Sequence, residues 1–169
     1  MEEESVVTIK TYQQLAMRTC LPTAKNWLYA HFGLKSEVFE LNAKICGGKA
    51  KSIRDGADFN KAKSTKAIFD EYGDCYWFIA LICELTNSKF ANVYNSKFAT
   101  LKMAWKFARQ KLGIFKSIIY SVNLSRLILS LKKEQTAYGF LIREVLQANV
   151  DKLQSRAQRG VLKGSGDNR

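Results

Sequence analysis

Lys49, Lys51, Arg54, Lys61, Lys63 and Lys66 place six cations within 18 residues, the densest chemical feature of the sequence. Side chains of this type and spacing suit contacts to phosphate that position a polyanion without reading it. A second row, Lys102, Lys106 and Arg109, falls at i, i+4 and i+7 with no interleaved acid. Lys and Arg total 27 against 15 Asp and Glu, a net charge of +12. The excess lies beyond residue 60 and favours a polyanionic partner.

Other chemistries have little to work with. His31 is the only histidine, which restricts acid–base work near neutral pH. Cys20, Cys46, Cys75 and Cys83 include no C-x-x-C pair, so neither a zinc knuckle nor a disulfide framework is expected. Phosphate-loop, dinucleotide-binding, zincin and serine-hydrolase motifs are absent. Asp55, Asp58, Asp70, Glu71 and Asp74 read as loop acids and helix caps. The expectation is therefore a non-catalytic chain with no metal and no cofactor.

These residues must be held by helices. One proline and ten glycines in 169 residues leave too few turns for a sheet-rich fold, and 47% hydrophobic residues suffice for one core. Apolar residues recur at three and four positions, predicting an all-α, compact multi-helix domain. A first helix is expected over 7–21, a second over 23–32 and a third over 36–46. Gly33 forms the joint between the latter two, and Gly47-Gly48 is the stop. A basic loop follows over 49–58, then helices over 65–72 and 75–85, parted at Gly73 with Asp74 as cap. Short and longer helices are expected over 90–94, from the Ser96 cap to 112, over 114–131 and over 134–158, before a flexible tail from 159. The longest apolar run, 75–83, is too short to span a bilayer, and 112–131 carries Lys116, Asn123 and Arg126. A cytoplasmic protein without a membrane partner is the expectation.

The tight pair over 23–46 has the plan of a helix-turn-helix-like unit, in which a braced second helix enters the major groove. Val38, Leu41 and Ile45 share an inward arc. Phe39, Glu40, Asn42, Ala43 and Lys44 are then the base-facing candidates, with Ala43 for a thymine methyl, Glu40 for cytosine and Asn42 for adenine. Lys35, Lys49, Lys51, Arg54, Lys61, Lys63, Lys66, Lys102, Lys106 and Arg109 are the phosphate-contact candidates.

Gln14-Leu-Ala-Met17, Ala24 with Leu28, Gly33-Leu34-x-Ser36, Leu41-Asn-Ala-Lys-Ile45 with Gly47, and Leu101-Lys-Met-Ala-Trp-Lys-Phe-Ala-Arg109 follow in an order that resembles the C subunit of the flagellar master transcriptional activator and its relatives on conjugative elements. The resemblance covers roughly residues 10–110. It implies a mostly helical subunit that binds double-stranded promoter DNA and works with a smaller, D-like helical subunit to recruit RNA polymerase. That family's C-terminal four-cysteine zinc site has no counterpart, since no cysteine follows Leu112. The resulting expectation is a DNA-binding domain over 1–112 and a partner-binding helical arm over 113–158. A helical adaptor for an acidic protein and a nucleic-acid-processing enzyme are the alternatives.

Overall fold

Hydrophobic residues recurring every three to four positions carry straight through the glycines expected to stop them. A computed structural model describes residues 6–55 and 62–160, with side chains described outside 48–65. Among the described residues the chain is all-helical: α1 (Tyr12–Met17), a 3-10 turn (Pro22–Ala24), α2 (Trp27–Asp55), α3 (Ala62–Leu85), α4 (Phe90–Asn95), α5 (Lys97–Arg109), α6 (Ile114–Ala137) and α7 (Ile142–Gln158).

The two-helix unit expected over 23–46 does not form. α2 runs unbroken through Gly33 and through Gly47-Gly48, so the segment read as a loop from 49 is helical to Asp55. Residues 56–58 of that loop and the tail beyond 160 lie outside the described residues. The cause is visible in the stripe Ala30, Leu34, Leu41 and Ile45, which stays buried on one side of the supposed joint and the other. Gly33 serves close approach instead of a turn, because a Cβ there would fall inside the Phe78 ring. The same holds at Gly73, where α3 continues and a Cβ would lie 3.0 Å from Cβ of Asn149 on α7.

α2 and α3 are antiparallel. Tyr29 near the start of α2 packs on Phe78 at 5.7 Å between ring centres, while Lys44 farther along reaches back to Glu71. α3 touches each of the other six helices. Its segment from Cys75 to Cys83, the longest apolar run, is wholly buried, with both thiols acting as small apolar fillers. Burying Ile79, Leu81 and Ile82 contributes about 1.5–3 kcal/mol for each side chain. Trp77 Nε1 donates to the Ala16 carbonyl at 3.3 Å and Tyr76 Oη to Gln135 Oε1 at 3.0 Å, which ties α3 to α1 and α6.

α5 starts as expected at Ser96, whose hydroxyl accepts from the Ala99 amide at 3.3 Å. Its buried face is Thr100, Met103, Ala104, Phe107 and Ala108, while Leu101 and Trp105 stand off it, exposed and half-buried. Thr100 tolerates the seam because its hydroxyl donates to Val93 O at 2.7 Å. Trp27 is half-buried and donates its indole N–H to Phe107 O at 2.9 Å. Residues 134–137, expected in the last helix, complete α6; Gly139, at φ +75°, makes the turn into α7. α6 and α7, expected as an arm, supply Leu124, Ile128, Leu131, Val145, Leu146 and Val150 to the same core.

Candidate metal centre between α2, α3 and α7

Two acidic pairs stand at helical i, i+3 spacing, Glu37 with Glu40 on α2 and Glu71 with Asp74 on α3. That spacing puts both members of a pair on one face, one turn apart. The antiparallel packing turns these faces toward each other. Glu37, Glu71 and Asp74 each bring a carboxylate oxygen within 4.8 Å of the others'. Glu40 is exposed one turn along and accepts from Ser36 Oγ at 3.4 Å.

The three acids are not equally compensated. Lys44 Nζ pairs with Glu71 Oε1, and Lys152 Nζ, from α7, pairs with Asp74. Asn149 Nδ2 donates to Asp74 Oδ1 at 3.0 Å, and Tyr12 Oη donates to Asn149 Oδ1 at 2.9 Å. Asp74 is thus a buttressed group in mid-helix, not the helix cap expected. Glu71 is only 2% exposed, yet its second oxygen, Oε2, is buried without a partner. Glu37 has no hydrogen bond or ion pair among the described residues. Burial, followed by the charges of Asp74, Glu71 and Glu40, pushes its carboxyl up to about 8. Burial raises Glu71 as well, against the opposing hydrogen bond from Lys44.

An oxygen-rich cluster of this kind fits a hard divalent cation. Magnesium takes one or two carboxylates and keeps waters in its other positions. A cation here would engage Glu71 Oε2 and relieve the repulsion on Glu37, while Asn149 and Tyr12 orient Asp74 from behind.

The raised Glu37 carboxyl has a measurable consequence in metal-free protein. Between its ordinary value near 4.5 and its folded value of about 8, the folded chain holds a proton that the unfolded chain has lost. Stability therefore falls as pH climbs through this window and levels off above it. Melting temperature in chelator should decline from about pH 5 to about pH 9, and Glu37→Gln should flatten the decline. Identical profiles for the two proteins would contradict the assignment.

The base-facing candidates divide between two environments. Phe39, Asn42 and Ala43 are exposed on α2, whereas Lys44 turns to Glu71 and Glu40 sits beside the acidic cluster. Lys35 is exposed, and Lys66 is held by Asp70 at 3.0 Å. The side chains of Lys49, Lys51, Arg54, Lys61 and Lys63 lie outside the described residues, as do those of Asp55 and Asp58. On α5, Lys102 is exposed, Lys106 donates to Thr86 O at 3.2 Å, and Arg109 donates to Leu112 O at 3.1 Å. α5 meets α2 at Trp27, about 18 Å along the helix axis from Phe39. The α5 row therefore lies toward the start of α2, apart from the 36–46 face.

Sequence reasoning missed Glu37 and misassigned Glu71 and Asp74. The available signal was the paired E-x-x-E and E-x-x-D spacing, with Glu71 falling on the same helical stripe as Ile68, Tyr72 and Cys75. An acid in a core stripe requires a partner. No known protein family, curated protein or solved structure matches the chain.

Proposed function

We propose that the chain is a divalent-metal-dependent hydrolase of phosphoanhydride bonds in a small polyphosphate such as a nucleoside triphosphate. The convergence of Glu37, Glu71 and Asp74 carries this reading. A bound magnesium ion would supply charge neutralisation at phosphate and a water of lowered pKa. Lys44 and Lys152, which pair with Glu71 and Asp74, would turn to phosphate charge where a cation takes over those carboxylates. Hydrolysis adds water across one P–O–P bond, phosphorus gaining the oxygen; a carboxylate of the cluster takes the proton and passes it to solvent. The burial of the acids, Glu71 at 2% and Asp74 at 21% exposure, favours a small substrate over a rigid duplex.

Incubation with magnesium or manganese and a panel of nucleoside triphosphates, inorganic triphosphate and plasmid DNA tests the reading. Phosphorus NMR should report phosphate or pyrophosphate release from the small substrates and intact plasmid. Plasmid cleavage would transfer the site to a nuclease, and no turnover together with no manganese binding would remove it. Duplex binding by a transcriptional activator subunit is the competing reading, favoured by the acid-free row on α5 and tested by salt-sensitive gel shift. The unbroken α2 removes only the helix-turn-helix joint from that reading.

A further inference from the structure

We propose that the end of the α5–α6 pair around residues 109–119 is a docking surface for an anionic lipid bilayer. The sidedness of α6 is the first observation. Its buried residues over the first two turns are Ser117 and Ser121, while Ile114, Phe115, Ile118 and Ile119 face solvent, Phe115 at 85% and Ile119 at 65% exposure. A soluble helix ordinarily does the reverse. Single exposed apolar residues are normal, but four within six positions at i, i+1, i+4 and i+5 form a contiguous patch that signals a partner.

Charge identifies the partner's chemistry. Between residues 85 and 133 the chain has ten Lys and Arg and no Asp or Glu. Arg109, Lys111 and Lys116 are exposed beside the patch, and among the described residues none of them pairs with a carboxylate. Cations flanking exposed aliphatic and aromatic side chains are the two components of interfacial binding, with charge meeting headgroup phosphate and apolar tips entering the acyl boundary. Duplex nucleic acid would satisfy the cations but leave Phe115 and Ile119 nothing to enter. Protein interface cores are depleted in lysine, which disfavours an acidic protein.

The geometry also specifies lying on the membrane over crossing it. By length and composition α6 could span, with a mean hydropathy of 1.3 over 18 residues and only 33% of that window buried. This departs from the expectation that no segment is apolar enough. Leu124, Ile128 and Leu131, however, commit the remainder of the helix to the protein core. Only the exposed first turns are available to lipid.

Vesicle flotation of the full chain tests the proposal, using phosphatidylcholine alone, phosphatidylcholine with phosphatidylglycerol, and a duplex DNA competitor. The chain should float with the anionic vesicles and not with the neutral ones. Phe115→Ser with Ile119→Ser, and separately Lys111→Gln with Lys116→Gln, should each lower partitioning at least about tenfold. These positions are exposed, so circular dichroism should be unchanged. Phe115→Trp supplies an independent readout, since the emission of the introduced indole should move to the blue only with anionic vesicles. No flotation, flotation indifferent to the Phe115 and Ile119 changes, an unshifted emission of the Phe115→Trp protein, or duplex DNA displacing the vesicles would overturn the proposal.

Discussion

Glu71→Gln is expected to remove magnesium-dependent turnover by about 100-fold or more, beyond the ~10–100-fold typical of losing an outer-shell partner. The exchange keeps shape and volume but removes a charge that burial already disfavours, at a side chain 2% exposed with one oxygen unpartnered. Melting temperature in chelator should hold or rise, because the surviving Lys44 is 33% exposed and can return to water. Manganese titration should show weakened binding in parallel. Loss of activity without collapse of the fold separates a ligand from a scaffold residue, in keeping with sites that sacrifice stability for function. Full activity in the Glu71→Gln protein would end the hydrolase reading.

Gly33→Ala should destabilise by about 1–3 kcal/mol, lowering the melting temperature by roughly 2–4 °C for each kcal/mol in a chain of this size. Alanine is ordinarily the better helix residue, so the sign depends on packing. The new methyl would occupy the place of the Phe78 ring, and Phe78 is 7% exposed, with nowhere to move unless α2 and α3 part. Gly47→Ala is the internal control. It lies in the same helix with nothing within 4 Å of its would-be Cβ, and should stabilise by up to about 1 kcal/mol. Adding Phe78→Leu should recover part of the Gly33→Ala loss, a coupling that thermal melts of the double cycle would measure. Stabilisation by Gly33→Ala would mean that the helices are not in this contact.

The helical class, the buried run from Cys75 to Cys83, the inward arc of Leu41 and Ile45 and the Ser96 cap were legible because each depends on neighbours within a turn or two. The glycines were not. Gly33 and Gly73 sit in helices because Phe78 and Asn149 press on them from 45 and 76 positions farther along. Local pattern has no access to such partners, so punctuation and close approach look alike until the fold is present. The resulting break at Gly33 created a two-helix joint that α2 does not contain. The acidic cluster failed for a related reason. Glu37 and Glu71 lie on helices read separately, and their convergence follows from an antiparallel pairing that neither stretch encodes alone. Asp74 looked like a cap only because Gly73 looked like a break.

Tyr12 supports Asp74 through Asn149, a bridge spanning 137 positions of the chain, and Lys152 completes it from the far side. During synthesis, α1, α2 and α3 would leave the ribosome long before α7, with the carboxylates already facing one another but Asp74 still lacking its amide and its ammonium. The centre reaches its working arrangement only when α7 docks. A nascent chain arrested before Asn149 would carry every acid of the site and neither Asn149 nor Lys152 to aim Asp74.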